Sequence, residues 1–290
     1  MKRAHRLLPW LVAGWLCLTG TGFAANASAN TSADASVFDA PILPGDARTP
    51  AALARKVFPG LDATGADGPV TPREQVLRQP GTKERFTLPA GARLTGATPL
   101  AVRGDGRPHL LVLWRFEADT DTPGGGASVL SVFPEGDLAP TDVASVQTDA
   151  FCDLDDGKLL PLGPDEAFFL RNHHFNSDQS YLDTGLYHVV SGRLRRIAQV
   201  FTLSVRGGCD TAFDERLDWR TQARPGAALP DVTATVRLAP GEGCRKGPMG
   251  GAGTTAREFR ETYRHDARLG RYVARGPGFA ALDAFNAKRF

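Results

Sequence analysis

The chain has 290 residues, with 34 Lys+Arg against 32 Asp+Glu and a formal net charge of +2. Its 42% hydrophobic and 23% charged residues fall in the ordinary globular range, which excludes wholesale disorder, collagen-like repeats and a long coiled coil. The 32 Gly and 21 Pro exceed average usage and favour a turn-rich, strand-rich chain over a helical bundle.

Residues 1–29 read as a secretory signal peptide. Lys2, Arg3 and Arg6 form a positive n-region, residues 7–18 (LLPWLVAGWLCL) an apolar h-region, and Ala25-Asn26-Ala27 and Ala27-Ser28-Ala29 two overlapping A-x-A sites. Cleavage is therefore expected after Ala27 or Ala29. The apolar run is shorter than the roughly 20 residues needed to cross a bilayer, and Trp15 and Leu16 put bulk where a lipobox before Cys17 needs small residues. No later segment is long and apolar enough to span, so the expectation is a periplasmic or secreted protein with no transmembrane segment after signal removal. Loss of the leader leaves 31 basic against 32 acidic residues. The densest basic cluster is Arg193-Leu194-Arg195-Arg196, too small to promise a nucleic-acid partner.

Export places the remaining cysteines, Cys152, Cys209 and Cys244, in an oxidising compartment. Cys209 and Cys244 each follow a strand-like run in a Gly-rich turn, which predicts a Cys209–Cys244 disulfide and leaves Cys152 as a buried, inert thiol. No C-x-x-C pair spells a structural zinc site.

Residues 30–84 form an Ala/Pro/Gly-rich arm, expected to lie semi-ordered against the main domain. Two short helices are predicted in it. Thr49-Pro50 places a capping hydroxyl before a proline at the first helical position, leading into 51–58. Thr71-Pro72-Arg73-Glu74 repeats the device as a capping box, leading to Leu77.

Residues 85–290 change to strand-like runs broken by turn signals. Strands are predicted at 109–116, 128–133, 141–148, 167–175, 186–190, 194–205, 231–238 and 258–264. Ser191-Gly192 suits a tight hairpin turn, and 265–270 reads as a second hairpin. Residues 279–288 read as a C-terminal helix. The fold class is thus mainly β, an antiparallel meander arranged as a sandwich, an open barrel or propeller-like blades.

Chemistry is sparse. There is no G-x-S-x-G elbow, H-E-x-x-H helix or P-loop lysine. The most unusual stretch packs hydrogen-bonding side chains at the mouth of a hairpin: Asn172, His173, His174, Asn176, Asp178 and Gln179 are the candidate ligand- or partner-binding residues. The reading that follows is a non-catalytic binding or protein-interaction module of the envelope or extracellular space, without a cofactor. Its rival is a metal-dependent hydrolase. Adjacent His173 and His174 point to opposite faces of a strand, so one of them shares a face with His188 on the returning strand. His174 and His188, with Asp183 (or Asp178) from the loop, would then offer two imidazoles and a carboxylate to Zn²⁺ or a similar ion. Asp153 and Asp155 fit the first positions of a Ca²⁺ loop, but Gly157 falls one position early, so that turn reads as a solvated hairpin.

Overall fold

The computed structural model describes residues 38–61, 69–117, 125–149, 151–175, 180–203, 213–240 and 257–287. The predicted leader with both cleavage sites lies outside these residues, as do Cys209, Cys244, Asn176, Asp178 and Gln179. The rest belongs to one unit spanning Ser32–Phe290.

Three antiparallel sheets follow one another along the chain. The first takes β1 (Gln75–Arg78), β2 (Arg85–Leu88), β3 (Arg93–Gly104), β4 (Arg107–Glu117), β5 (Gly125–Pro134) and β6 (Asp142–Asp149) in the order β2-β1-β6-β5-β4-β3. The second is the meander β10-β9-β8-β7, built from β7 (Cys152–Leu162), β8 (Asp165–Phe175), β9 (Ser180–Val190) and β10 (Arg193–Leu203). The third runs β11-β12-β13-β14, from β11 (Phe213–Gln222), β12 (Asp231–Pro240), β13 (Arg257–Asp266) and β14 (Arg271–Ala274). Among the described residues the one departure from antiparallel pairing is the Arg78–Ala144 pair that joins β1 to β6. Residues Asp105-Gly106 and Ser191-Gly192 all take positive φ, the mirror-image turn that matches strand twist in two-residue hairpins.

The sheets pack face to face, with the second in the middle. Leu111, Leu113, Leu130 and Val132 of the first sheet meet Cys152, Phe168, Leu170, Tyr187 and Val189 of the second. The opposite face of the second sheet, with Ala167, Phe169, Leu186 and Val200, packs on Val232, Ala234, Val236 and Tyr263 of the third. Strand β4 is therefore buried on both faces, which is why its sequence is a near-continuous apolar run. The buried Asp142 carboxylate ties the first two layers together: it accepts from Arg78 of β1 and from the Leu194 amide of β10, the latter at 2.7 Å.

The segment expected to be a loose arm is part of this core. Helix α1 (Pro50–Val57) starts where Thr49 predicts, its hydroxyl accepting from the Ala52 amide at 3.2 Å. Leu53, Val57 and Phe58 cover the outer face of the first sheet, with Phe58 edge-on to Trp114 and Phe116 at 5.9 and 4.8 Å. The second predicted helix is not formed. Thr71 gives its hydroxyl to the Pro89 carbonyl at 2.9 Å, and the residues after it become β1. Since β1 and β2 pair across position 85, no domain boundary falls there. Residues Asp153 to Gly157 likewise lie within β7, at an irregularity in its pairing with β8, and do not form a hairpin turn.

At the other end, helix α2 (Gly278–Asn286) is docked by Glu261, whose carboxylate accepts from the amides of Arg275, Gly276 and Gly278 at 2.7–3.2 Å. A side chain on Gly278 would run into the Arg260 carbonyl. Among the described residues no helix is long and apolar enough to cross a membrane.

Candidate functional site

The candidate residues on β8 and β9 fall on two faces of the second sheet. Direct cross-strand partners share a face, and Asn172 pairs with both Cys152 and Asp183, which in turn pairs with Phe201. Cys152, Asn172, Asp183 and Phe201 thus form one row across four strands, on the face turned to the first sheet. His188 pairs with Ala167 and lies on the face turned to the third sheet. Five residues separate Asp183 from His188, an odd number, so alternation puts them on opposite faces. His173 does share the His188 face, but pairs six residues along β8 from Ala167, about 20 Å away at strand rise. His174 pairs through its backbone with Tyr181. The proposed ion set of His174, His188 and Asp183 therefore cannot close on one ion, because its second imidazole and its carboxylate are separated by the sheet. Among the described residues no group of three or more His, Cys, Asp or Glu side chains is placed to hold a metal.

The row facing the first sheet is polar and largely sealed. Asn172 is 4% exposed and Asp183 7%. One carboxylate oxygen of Asp183 accepts from the Gln199 side chain at 2.5 Å, and Gln199 in turn accepts from Arg196. The other carboxylate oxygen and the Asn172 Oδ1 have no hydrogen-bond partner among the described residues. Burial is the main force on the Asp183 carboxyl and pushes it up to about 6, against the pull of Gln199 and Arg196. The Cys152 thiol is pushed up to about 12, chiefly by burial, with the Asp153 and Asp183 charges adding to the shift and the nearby Ser128 hydroxyl opposing it. Such a thiol carries no thiolate to speak of at neutral pH and is not a nucleophile. At the outer end of the row the polarity gives way to aromatic surface. Phe201 is 46% exposed and meets Tyr181 edge-on at 6.1 Å.

His188 occupies a different environment. It is 1% exposed, both ring nitrogens lack partners among the described residues, and the ring packs edge-on to Tyr272 at 5.5 Å. Tyr272 also meets His265 at 5.4 Å and donates its hydroxyl to the Pro230 carbonyl. Burial, followed by the His265 and Arg195 charges, lowers the His188 imidazole to about 3. It is a neutral core ring.

Asn172, His173 and Asp183 stand out in the sequence, whereas Gln199, Arg196, Tyr181 and Phe201 join them only in the folded sheet. The available signal was a glutamine inside the apolar run IAQVF of β10. A polar amide in such a run needs a buried partner. The bulge between Arg196 and Ala198 hides it: unbroken alternation from Arg195 would pair Gln199 with Thr184 on the opposite face, and the bulge turns Gln199 to the Asp183 face.

Fold and site together define a layered antiparallel β protein with a buried polar row and an aromatic rim. Comparison with protein-family models, with characterised proteins and with solved structures finds no match for the chain.

Proposed function

We propose that the chain is exported and acts as a non-catalytic binding or protein-interaction module of the envelope or extracellular space, making contact at the Asn172–Asp183 end of the second sheet. The observation that carries this reading is the pairing of two buried acceptor oxygens, Asn172 Oδ1 and Asp183 Oδ1, with an aromatic pair of half-buried Tyr181 and exposed Phe201. Buried acceptors without donors cost free energy until something supplies the donors, and aromatic rings beside them offer apolar contact at small entropic cost. A partner with hydrogen-bond donors along one edge and an apolar face satisfies both. The rival reading, a hydrolase on Zn²⁺ or Ca²⁺, draws no support from a donor set divided between two faces of a sheet.

Native mass spectrometry of protein purified from the exported fraction, without chelator, tests the reading. The expected mass is that of a chain beginning at Ser28 or Asn30. The expected bound species is an organic ligand or protein partner that an Asp183→Leu variant loses. A stoichiometric metal ion that survives purification and is lost in a His188→Phe variant would overturn it. Retention of the leader in a cytoplasmic protein would do the same.

A further inference from the structure

The outward face of the third sheet carries a second arrangement, independent of the buried polar row. Cross-strand pairing there gives rows Arg220–Thr233–Thr262 and Asp218–Thr235–Arg260, followed by Arg216–Arg237–Glu258. Arg220 and Arg260 therefore flank the two β12 threonines from opposite sides, and Arg237 closes the end of the lane. Side chains one pair apart in such rows are about 5 Å apart at Cβ, well within reach of a guanidinium. These residues, with Thr221 and Gln222, surround a depression of about 310 Å³.

Two of the arginines are held in place by carboxylates at one end of the lane. Arg237 donates to Asp218 at 2.7 Å and to Glu258 at 3.1 Å, and Arg260 donates to Glu258 at 2.8 Å. Arg220, exposed at the other end, has no ion-pair partner among the described residues. Of the three guanidinium groups that line the depression, the carboxylates of Asp218 and Glu258 hold Arg237 and Arg260, which leaves the Arg220 charge to face the hydroxyl floor. Thr233 and Thr262 already share a hydrogen bond at 3.1 Å, which fixes that floor.

We infer that this depression is a binding site for a phosphate monoester, with Arg220, Arg237 and Arg260 as the guanidinium clamps and Thr235 as the hydroxyl beneath. Donors from three sides match an oxyanion with three terminal oxygens, whereas a planar carboxylate has only two oxygens to offer. Arg is suited to the task because its fork binds phosphate oxygens in pairs. The depression also leaves room beside the phosphate for a group of about sugar size.

Calorimetric titration of the mature protein with inorganic phosphate, glucose 6-phosphate and acetate, repeated on variants, tests the inference. Both phosphates should bind, and acetate about tenfold more weakly or not at all. Arg220→Gln and Arg260→Gln should each weaken glucose 6-phosphate about tenfold with unchanged circular dichroism. Arg107→Gln, at the exposed start of β4 in the first sheet, should leave it unchanged. Thr235→Val supplies a further test should Arg260→Gln fail to fold, with a smaller loss expected. Binding that survives Arg220→Gln and Thr235→Val, falls equally with Arg107→Gln, or is as tight for acetate would overturn the assignment. None of these outcomes bears on the Asn172–Asp183 row.

Discussion

Two buried titratable groups on opposite faces of the second sheet should cancel each other's pH dependence. Replacing one should expose the other. His188 has its imidazole lowered from 6.5 to about 3, so between those values the unfolded chain binds a proton that the native state refuses. Its contribution to stability is complete above pH 6.5 and is lost as the pH falls towards 3, about 5 kcal/mol in all. Asp183 has its carboxyl raised from 3.8 to about 6, so there the native state holds a proton that the unfolded chain releases. Its cost is absent below pH 3.8 and complete above 6, about 3 kcal/mol. Between about pH 4 and 6 the two slopes, each near 1.4 kcal/mol per pH unit, have opposite sign. His188→Phe keeps the ring packed on Tyr272 and removes two nitrogens that have no partners. Relative to the parent it should gain about 3 kcal/mol on going from pH 7 to pH 4. Asp183→Asn should show the mirror image, gaining on the parent as the pH rises. Urea unfolding at half-unit pH steps, with the slope m unchanged, measures both differences. A His188→Phe difference that stays constant across this range would refute the assignment of His188 as a neutral core ring.

Cys152 should resist alkylation by iodoacetamide in the native protein at pH 8 and react once denatured, because its thiol is buried and raised to about 12. Peptide mass mapping reads both states, and rapid native labelling would show that the row opens. Asp142→Ala should destabilise by about 3 kcal/mol, since it leaves the Arg78 guanidinium and the Leu194 amide at the interface of the first two sheets without their acceptor. Thermal or urea unfolding measures the loss, and an effect below about 1 kcal/mol would show that those layers are held by apolar packing alone.

The β character and the hairpins were legible in the sequence because turn chemistry is local. Ser191-Gly192 and the stretch after His265 carry their geometry in their own backbone preferences. The Thr49 cap was legible for the same reason. Thr71 shows the limit of such reasoning. It has the spelling of a helix cap, but the carbonyls of Pro89 and Ala92 take its hydroxyl, and Leu77 finds its burial in a sheet. A capping box is worth about 1 kcal/mol, less than the burial of an aliphatic side chain such as Leu77, at about 1.5–3 kcal/mol. The layering was not legible because the middle sheet is covered on both faces, so its strands lack the apolar–polar alternation that reports a single core. The division of the site was nearer the surface of the sequence than the fold was. Starting β9 at 186 places Asp183 in a loop, free to approach either histidine. Starting it at Ser180 makes Asp183 a strand residue, and its odd spacing from His188 then forbids a shared ion. The six preceding residues, SYLDTG, contain Asp and Gly, which strands disfavour. They hold to the sheet because Asp183 is met by Gln199 and because the Tyr187 ring occupies the space that a side chain on Gly185 would need. The features that disguise the strand are thus the ones that build the buried polar row.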